Sequence, residues 1–94
     1  MRLAPILLLA LAGCVTSAPS LSDRVAVGDT GEEPYLNMRS GPGLGYRAVL
    51  GLPEGTALNR HDCVTELGQL WCRVSLAGSP NASGYVSADY LVAR

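Results

Sequence analysis

Residues 35–46 constrain this chain more tightly than any other stretch. In Tyr35-Leu36-Asn37-Met38-Arg39 the apolar Leu36 and Met38 alternate with the polar Asn37 and Arg39, which is the period of a half-buried β-strand. The alternation stops at Ser40-Gly41-Pro42-Gly43, with Pro in the second place of a turn and Gly43 in the position that follows. That order predicts a type II turn with Gly43 at positive φ. Gly45 supplies a second hinge before Tyr46. A strand running into a glycine-rich loop, bracketed by Tyr35 and Tyr46, is a common way to display a binding surface on a small β domain.

The rest of the mature chain reads as short strands separated by turn formers. Arg24 to Val27 is predicted as the first, followed by the polar loop Gly28 to Pro34. Arg47 to Leu52, Thr56 to Cys63 and Leu70 to Leu76 follow, and Val86 to Val92 contains the last, with Pro53-Glu54-Gly55 as a turn. Asn81-Ala82-Ser83 matches a glycosylation acceptor and is read as a turn. No stretch holds a helical period, and strands at this spacing imply an all-β sandwich or barrel.

The first residues are of another kind. Met1-Arg2 carries one positive charge, Leu3 to Ala12 is almost wholly apolar, and Leu11-Ala12-Gly13-Cys14 closes the run. This is the layout of a signal peptide over residues 1–13. An apolar run this short falls well below the roughly twenty residues needed to span a bilayer. Leu11-Ala12-Gly13-Cys14 resembles a bacterial lipobox, which makes Cys14 the lipidated first residue of the mature chain. The alternative, an ordinary signal peptide with an incidental cysteine, is less favoured because Cys14 follows Leu-Ala-Gly directly. Residues 14–23, rich in Ser, Thr, Ala and Pro, read as a flexible tether. Val15, rather than Asp, follows the cysteine, which favours the outer membrane facing the periplasm. Residues 24–94 are left as one small domain.

Charge excludes one class of partner. The 94 residues carry a formal charge of −1 and no lysine, and no run of basic residues is present. A nucleic-acid partner is therefore not indicated.

There are three cysteines, an odd count for an exported chain. With Cys14 lipidated, Cys63 and Cys72 remain. A hairpin centred on Leu67-Gly68 places them directly opposite each other in a non-hydrogen-bonded pair, where Cα atoms come closest. An oxidising periplasm favours the disulfide. Simple alternation back from Cys63 leaves Leu58 on the wrong face, which a β-bulge near His61-Asp62 corrects.

The downstream residues extend the pattern of the first stretch. Leu36-Asn37-Met38-Arg39-Ser40-Gly41-Pro42-Gly43 resembles the signature of bacterial SH3-type domains, with Met38 where Val is usual. Leu52-Pro53-Glu54-Gly55-Thr56, Trp71-Cys72-Arg73-Val74 and Gly84-Tyr85-Val86-Ser87-Ala88-Asp89-Tyr90-Leu91 resemble the family's later motifs, in the expected order. The resemblance covers Val25 to Val92. It implies a small, partly open SH3-like barrel of five or more strands, with a short 3₁₀ turn near Ala88-Asp89-Tyr90.

Chemistry is sparsely supplied. His61 is the one histidine, and in a regular strand His61, Asp62 and Cys63 point to alternate faces, so they do not converge on an ion. A Cys63 held in a disulfide has no thiolate to offer as nucleophile or ligand. Neither a phosphate-binding loop nor a nucleophile elbow is present. No metal, cofactor or catalytic residue is assigned, and Glu32 and Glu33 read as a solvated loop face.

The aromatic residues are the better functional material. If Leu70, Cys72 and Val74 face the core, then Trp71 and Arg73 face outward, and an exposed Trp71 beside the loop makes a groove. The candidate ligand-binding residues are Tyr35, Asn37, Arg39, Tyr46, Trp71, Arg73 and Tyr85. A rim position for Trp71 and a core position for Tyr85 are the alternatives. The resemblance implies a non-catalytic module that binds peptidoglycan or cell-wall peptides, with docking of another envelope protein as the alternative. Recognition of basic Pro-rich peptides is disfavoured, because the loop has no acidic residue.

Overall fold

The computed structural model describes residues 23–94. Within them the chain forms seven strands: β1 (Arg24–Val27), β2 (Tyr35–Arg39), β3 (Ala48–Pro53), β4 (Ala57–Glu66), β5 (Gln69–Leu76), β6 (Ser79–Ser87) and β7 (Leu91–Ala93). A 3₁₀ turn at Ala88–Tyr90 joins the last two. All pairings are antiparallel, in the order β3-β2-β6-β5-β4-β1-β7. The sheet curls into the small, partly open barrel that the sequence motifs imply. The signal peptide, Cys14 and the tether up to residue 22 lie outside the described residues. Among the described residues, no helix is long and apolar enough to cross a membrane.

Leu36 and Met38 face inward as their alternation requires, and Met38 is buried with Val25, Val27, Leu52, Leu58, Cys72, Val74 and Val86. Full burial of such side chains stabilises by roughly 1.5–3 kcal/mol each relative to exposure. Close packing reaches the backbone where β2 crosses β6. A Cβ on Gly84 would stand 2.7 Å from the Arg39 carbonyl oxygen and 2.7 Å from Met38 Cγ. Only glycine fits there.

The β4–β5 hairpin turns at Leu67-Gly68, and both residues have positive φ, 52° and 81°, as a two-residue type I′ turn demands. Cys63 pairs with Cys72, and the two are joined by a disulfide. Closing a loop of this length is worth about 2.5–3 kcal/mol in the chain-entropy model. The register shifts between Arg60 and Cys63, so His61 and Asp62 together oppose Arg73. This is the bulge that Leu58 needed, and Leu58 is fully buried. His61 and Asp62 do not take opposite faces as they would in a regular strand. His61 Nε2 lies 2.8 Å from Ser75 Oγ, while Arg73 Nε donates to Asp62 Oδ1 at 2.8 Å. Arg73 and Ser75 share a face, so the bulge turns both side chains onto it.

Two expectations are corrected. Asn81-Ala82-Ser83 is not a turn: it lies within β6, where Asn81 and Ala82 fall in a bulge between the Ser79–Leu76 and Ser83–Ser75 pairs. Leu70 does not face the core; it is 44% exposed, because the hairpin end beyond Cys63–Cys72 projects past the cluster of buried residues.

Candidate functional site

The loop after β2 is held by its own backbone. Ser40 N–H donates to the Arg47 carbonyl at 2.9 Å and closes it at the base. Inside, Gly43 N–H donates to Gly41 O at 3.0 Å and Tyr46 N–H to Gly43 O at 3.2 Å. Arg39 Nη1 donates to the Tyr46 carbonyl at 2.9 Å, tying the loop to β2. The turn is thus displaced from the expected position. The four-residue turn runs from Gly43 to Tyr46, and Gly43 is not among the residues with positive φ. The crowded glycine is Gly41, where a Cβ would sit 2.4 Å from Tyr46 Cδ1, whereas at Gly43 the nearest ring atom is 3.6 Å away. The Tyr46 ring lies on Gly41.

Trp71 stands on β5 between Val64 of β4 and Ser87 of β6. As expected it faces away from Cys72 and Val74 and takes no part in the central cluster. It is not exposed, however: only 5% of its surface is accessible. Leu44, from the loop, and Tyr90, from the 3₁₀ turn, line two hollows together with it. The first, of about 180 Å³, is bounded by Tyr35, Asn37, Arg39 and Glu33. The second, of about 530 Å³, is bounded by Tyr46, Glu66, Leu67 and Asp89. Leu44, Trp71, Ser87 and Tyr90 belong to both, so the hollows form one groove with a shared middle.

Polar contacts hold that middle together. Gln69 Nε2 donates to Ser87 Oγ at 2.8 Å, and the same oxygen accepts from Asp89 N–H at 3.3 Å. The hairpin, β6 and the 3₁₀ turn are thereby joined at one hydroxyl. Gly28 N–H donates to the Tyr90 carbonyl at 2.9 Å, and Thr30 Oγ1 donates to Glu54 Oε1 at 2.7 Å, which fixes the opposite wall. The apolar lining is left open above this frame. Leu44 is 77% exposed, and Leu67, Tyr35 and Tyr46 are exposed as well.

Of the residues nominated from sequence, Tyr35, Asn37, Arg39, Tyr46 and Trp71 meet in the groove. Arg73 and Tyr85 do not line it. Tyr85 lies in a cross-strand row between Arg39 and Arg73, and Arg73 is bound to Asp62, with Nη2 2.6 Å from Oδ1. Both partners are half exposed, so this pair contributes little to stability, about 0–1 kcal/mol. Leu44, Ser87, Tyr90, Glu33, Glu66 and Asp89 were not nominated. Tyr90 is the one among them that its aromatic character could have flagged. Among the described residues there is no group of three or more His, Cys, Asp or Glu able to hold a metal ion.

A strand entering a turn-rich loop, a disulfide-closed hairpin and a 3₁₀ turn before the last strand together define a small β-barrel binding domain. Residues 34–92 match the family model described as bacterial SH3 domain, and the chain belongs to that family. Domains of this family are binding modules, commonly of peptidoglycan or other cell-wall material, and are generally non-catalytic. No curated protein and no solved structure gives a significant match to the chain. The family match begins after β1, yet Val25 and Val27 of β1 are part of the core.

The loop geometry sets an order of tolerance. Gly41→Ala displaces the Tyr46 ring and should lower stability by about 1–3 kcal/mol. Gly43→Ala should stay within about 0.5 kcal/mol of wild type. Urea denaturation of the two variants checks this, and a larger loss at Gly43 would contradict the turn described above.

Proposed function

We propose that this chain is a non-catalytic module of the bacterial cell envelope that holds peptidoglycan or a wall peptide in the groove over Trp71. One observation carries the reading: an open aromatic and apolar trough on a hydrogen-bonded frame. Leu44, Tyr46 and Tyr90 present its exposed apolar surface, with the nearly buried Trp71 beneath them. Such a trough suits an extended peptide, whose side chains lodge between rings while its backbone bonds to polar groups at the rim. Family membership agrees with this ligand class.

Lipidation of Cys14 completes the proposal. The order Leu11-Ala12-Gly13-Cys14 after an apolar run supports anchoring to a bacterial membrane, with the outer membrane facing the periplasm favoured. An anchor would keep the module close to the wall, where even a weak site is occupied at high local concentration. A second reading, docking of another envelope protein, draws on a different feature. Strand β3 is an edge of the sheet and exposes Val49 and Leu50, and an apolar edge is a surface for adding a strand.

Cosedimentation of the detergent-solubilised chain with purified sacculi separates the two. Wild type should be retained, and Leu44→Ser should weaken retention about tenfold, as expected when one large apolar contact is lost. Retention only when a membrane-protein extract is added would favour the second reading instead. For the anchor, Cys14→Ala should move the protein from the membrane fraction to the soluble periplasmic one. A variant that stays membrane-bound through a carbonate wash would contradict lipidation.

A further inference from the structure

The charges along the groove point to a more specific occupant. Glu33 bounds the first hollow, and Glu66 and Asp89 bound the second. The three come from separate segments: the loop before β2, the end of β4 and the 3₁₀ turn. All three are exposed, and none of their carboxylates takes part in a hydrogen bond or ion pair within the described residues. The one cationic side chain in the lining, Arg39, is already donating to the Tyr46 carbonyl. An apolar trough with an unanswered carboxylate toward each end is complementary to a ligand that is apolar along its length and bears a positive charge.

We propose that the groove selects a peptide carrying a free ammonium group, of the kind borne by a diamino residue with an unlinked side-chain amine. This rests on reading the groove as a wall-peptide site. The aromatic middle would hold the peptide strand and its small apolar side chains. Glu66 and Asp89, or Glu33 at the far end, would receive the ammonium. Peptides whose amine has been consumed in a cross-link or acylated would bind less well, so the module would favour wall strands with unlinked amines. The loop after β2 itself carries no acidic residue; the carboxylates of the groove come from segments outside it.

The test uses native sacculi and sacculi whose free amines have been acetylated, in cosedimentation titrations with the detergent-solubilised chain. Exposed ion pairs contribute modestly, so acetylation should weaken binding by about two- to fivefold at low salt, and by less at physiological salt. The triple variant Glu33→Gln, Glu66→Gln, Asp89→Asn should bind both preparations alike. Glu32→Gln, a charge loss outside the groove lining, should keep the wild-type preference. Equal retention of both preparations by wild type overturns the ammonium site and leaves wall binding standing. Retention of neither overturns both. If Glu32→Gln abolishes the preference as fully as the triple variant does, net charge accounts for it, and the proposal fails.

Discussion

The pairing of β4 with β5 runs in one register from Leu58 to Arg60 and in another from Cys63 to Glu66, and the extra residue lies at the His61–Asp62 bulge. Side chains of a regular strand alternate strictly, so without the bulge Leu58 and Cys63, five positions apart, would occupy opposite faces. With it, Leu58 is buried against Val25 of β1, while Cys63 meets Cys72 across the hairpin. Alternation along β5 puts Cys72 and Val74 inward and Trp71 outward. Core and disulfide are therefore reconciled by one bulge. The additional twist that a bulge brings also helps a sheet of short strands to close on itself.

The groove in turn depends on what folds over Trp71. An indole on the outer face of a sheet would ordinarily meet solvent, but the loop after β2 and the 3₁₀ turn leave it almost no exposed surface. Side-chain ties supplement the backbone of both segments. The loop relies on Arg39 and on the contact between Gly41 and the Tyr46 ring. The 3₁₀ turn relies on Ser87 and on Gly28. The disulfide lies at the neighbouring position to Trp71, so the covalent staple of the hairpin also steadies the floor of the site. Arg94 adds a further tie, with Nε donating to the Val25 carbonyl at 2.8 Å and Nη2 to Leu58 O at 3.1 Å.

Much of this was legible from local chemistry. The inward pair Leu36 and Met38, the Leu67-Gly68 turn, the cysteine pairing and the need for a bulge each followed from a short-range rule applied to neighbouring residues. The first half of β6 was not legible. Ser79-Pro80-Asn81-Ala82-Ser83 has the composition of a turn, and in β6 only its two ends pair with β5, Ser79 with Leu76 and Ser83 with Ser75, while the three residues between them bulge out of register. The burial of Trp71 was left open for a related reason: alternation says which face a residue takes, but not whether another segment covers that face. The position of Gly43 was missed because Pro42 fits more than one kind of turn. The acidic character of the groove was hidden most completely, since Glu33, Glu66 and Asp89 lie far apart in sequence and meet only through the fold.

The account's central claim is that ligand is held over Trp71, between the loop and the 3₁₀ turn, and not on the polar face formed by His61, Asp62 and Arg73. Nuclear magnetic resonance of the isotope-labelled chain, titrated with soluble wall fragments released by muramidase digestion, addresses this directly. The account predicts that shift changes concentrate at the Trp71 indole N–H and the amides of Leu44, Tyr46, Gln69, Ser87 and Asp89, while those of His61, Asp62 and Arg73 stay in place. Changes confined to His61, Asp62 and Arg73, or to the β3 edge at Val49 and Leu50, would contradict it.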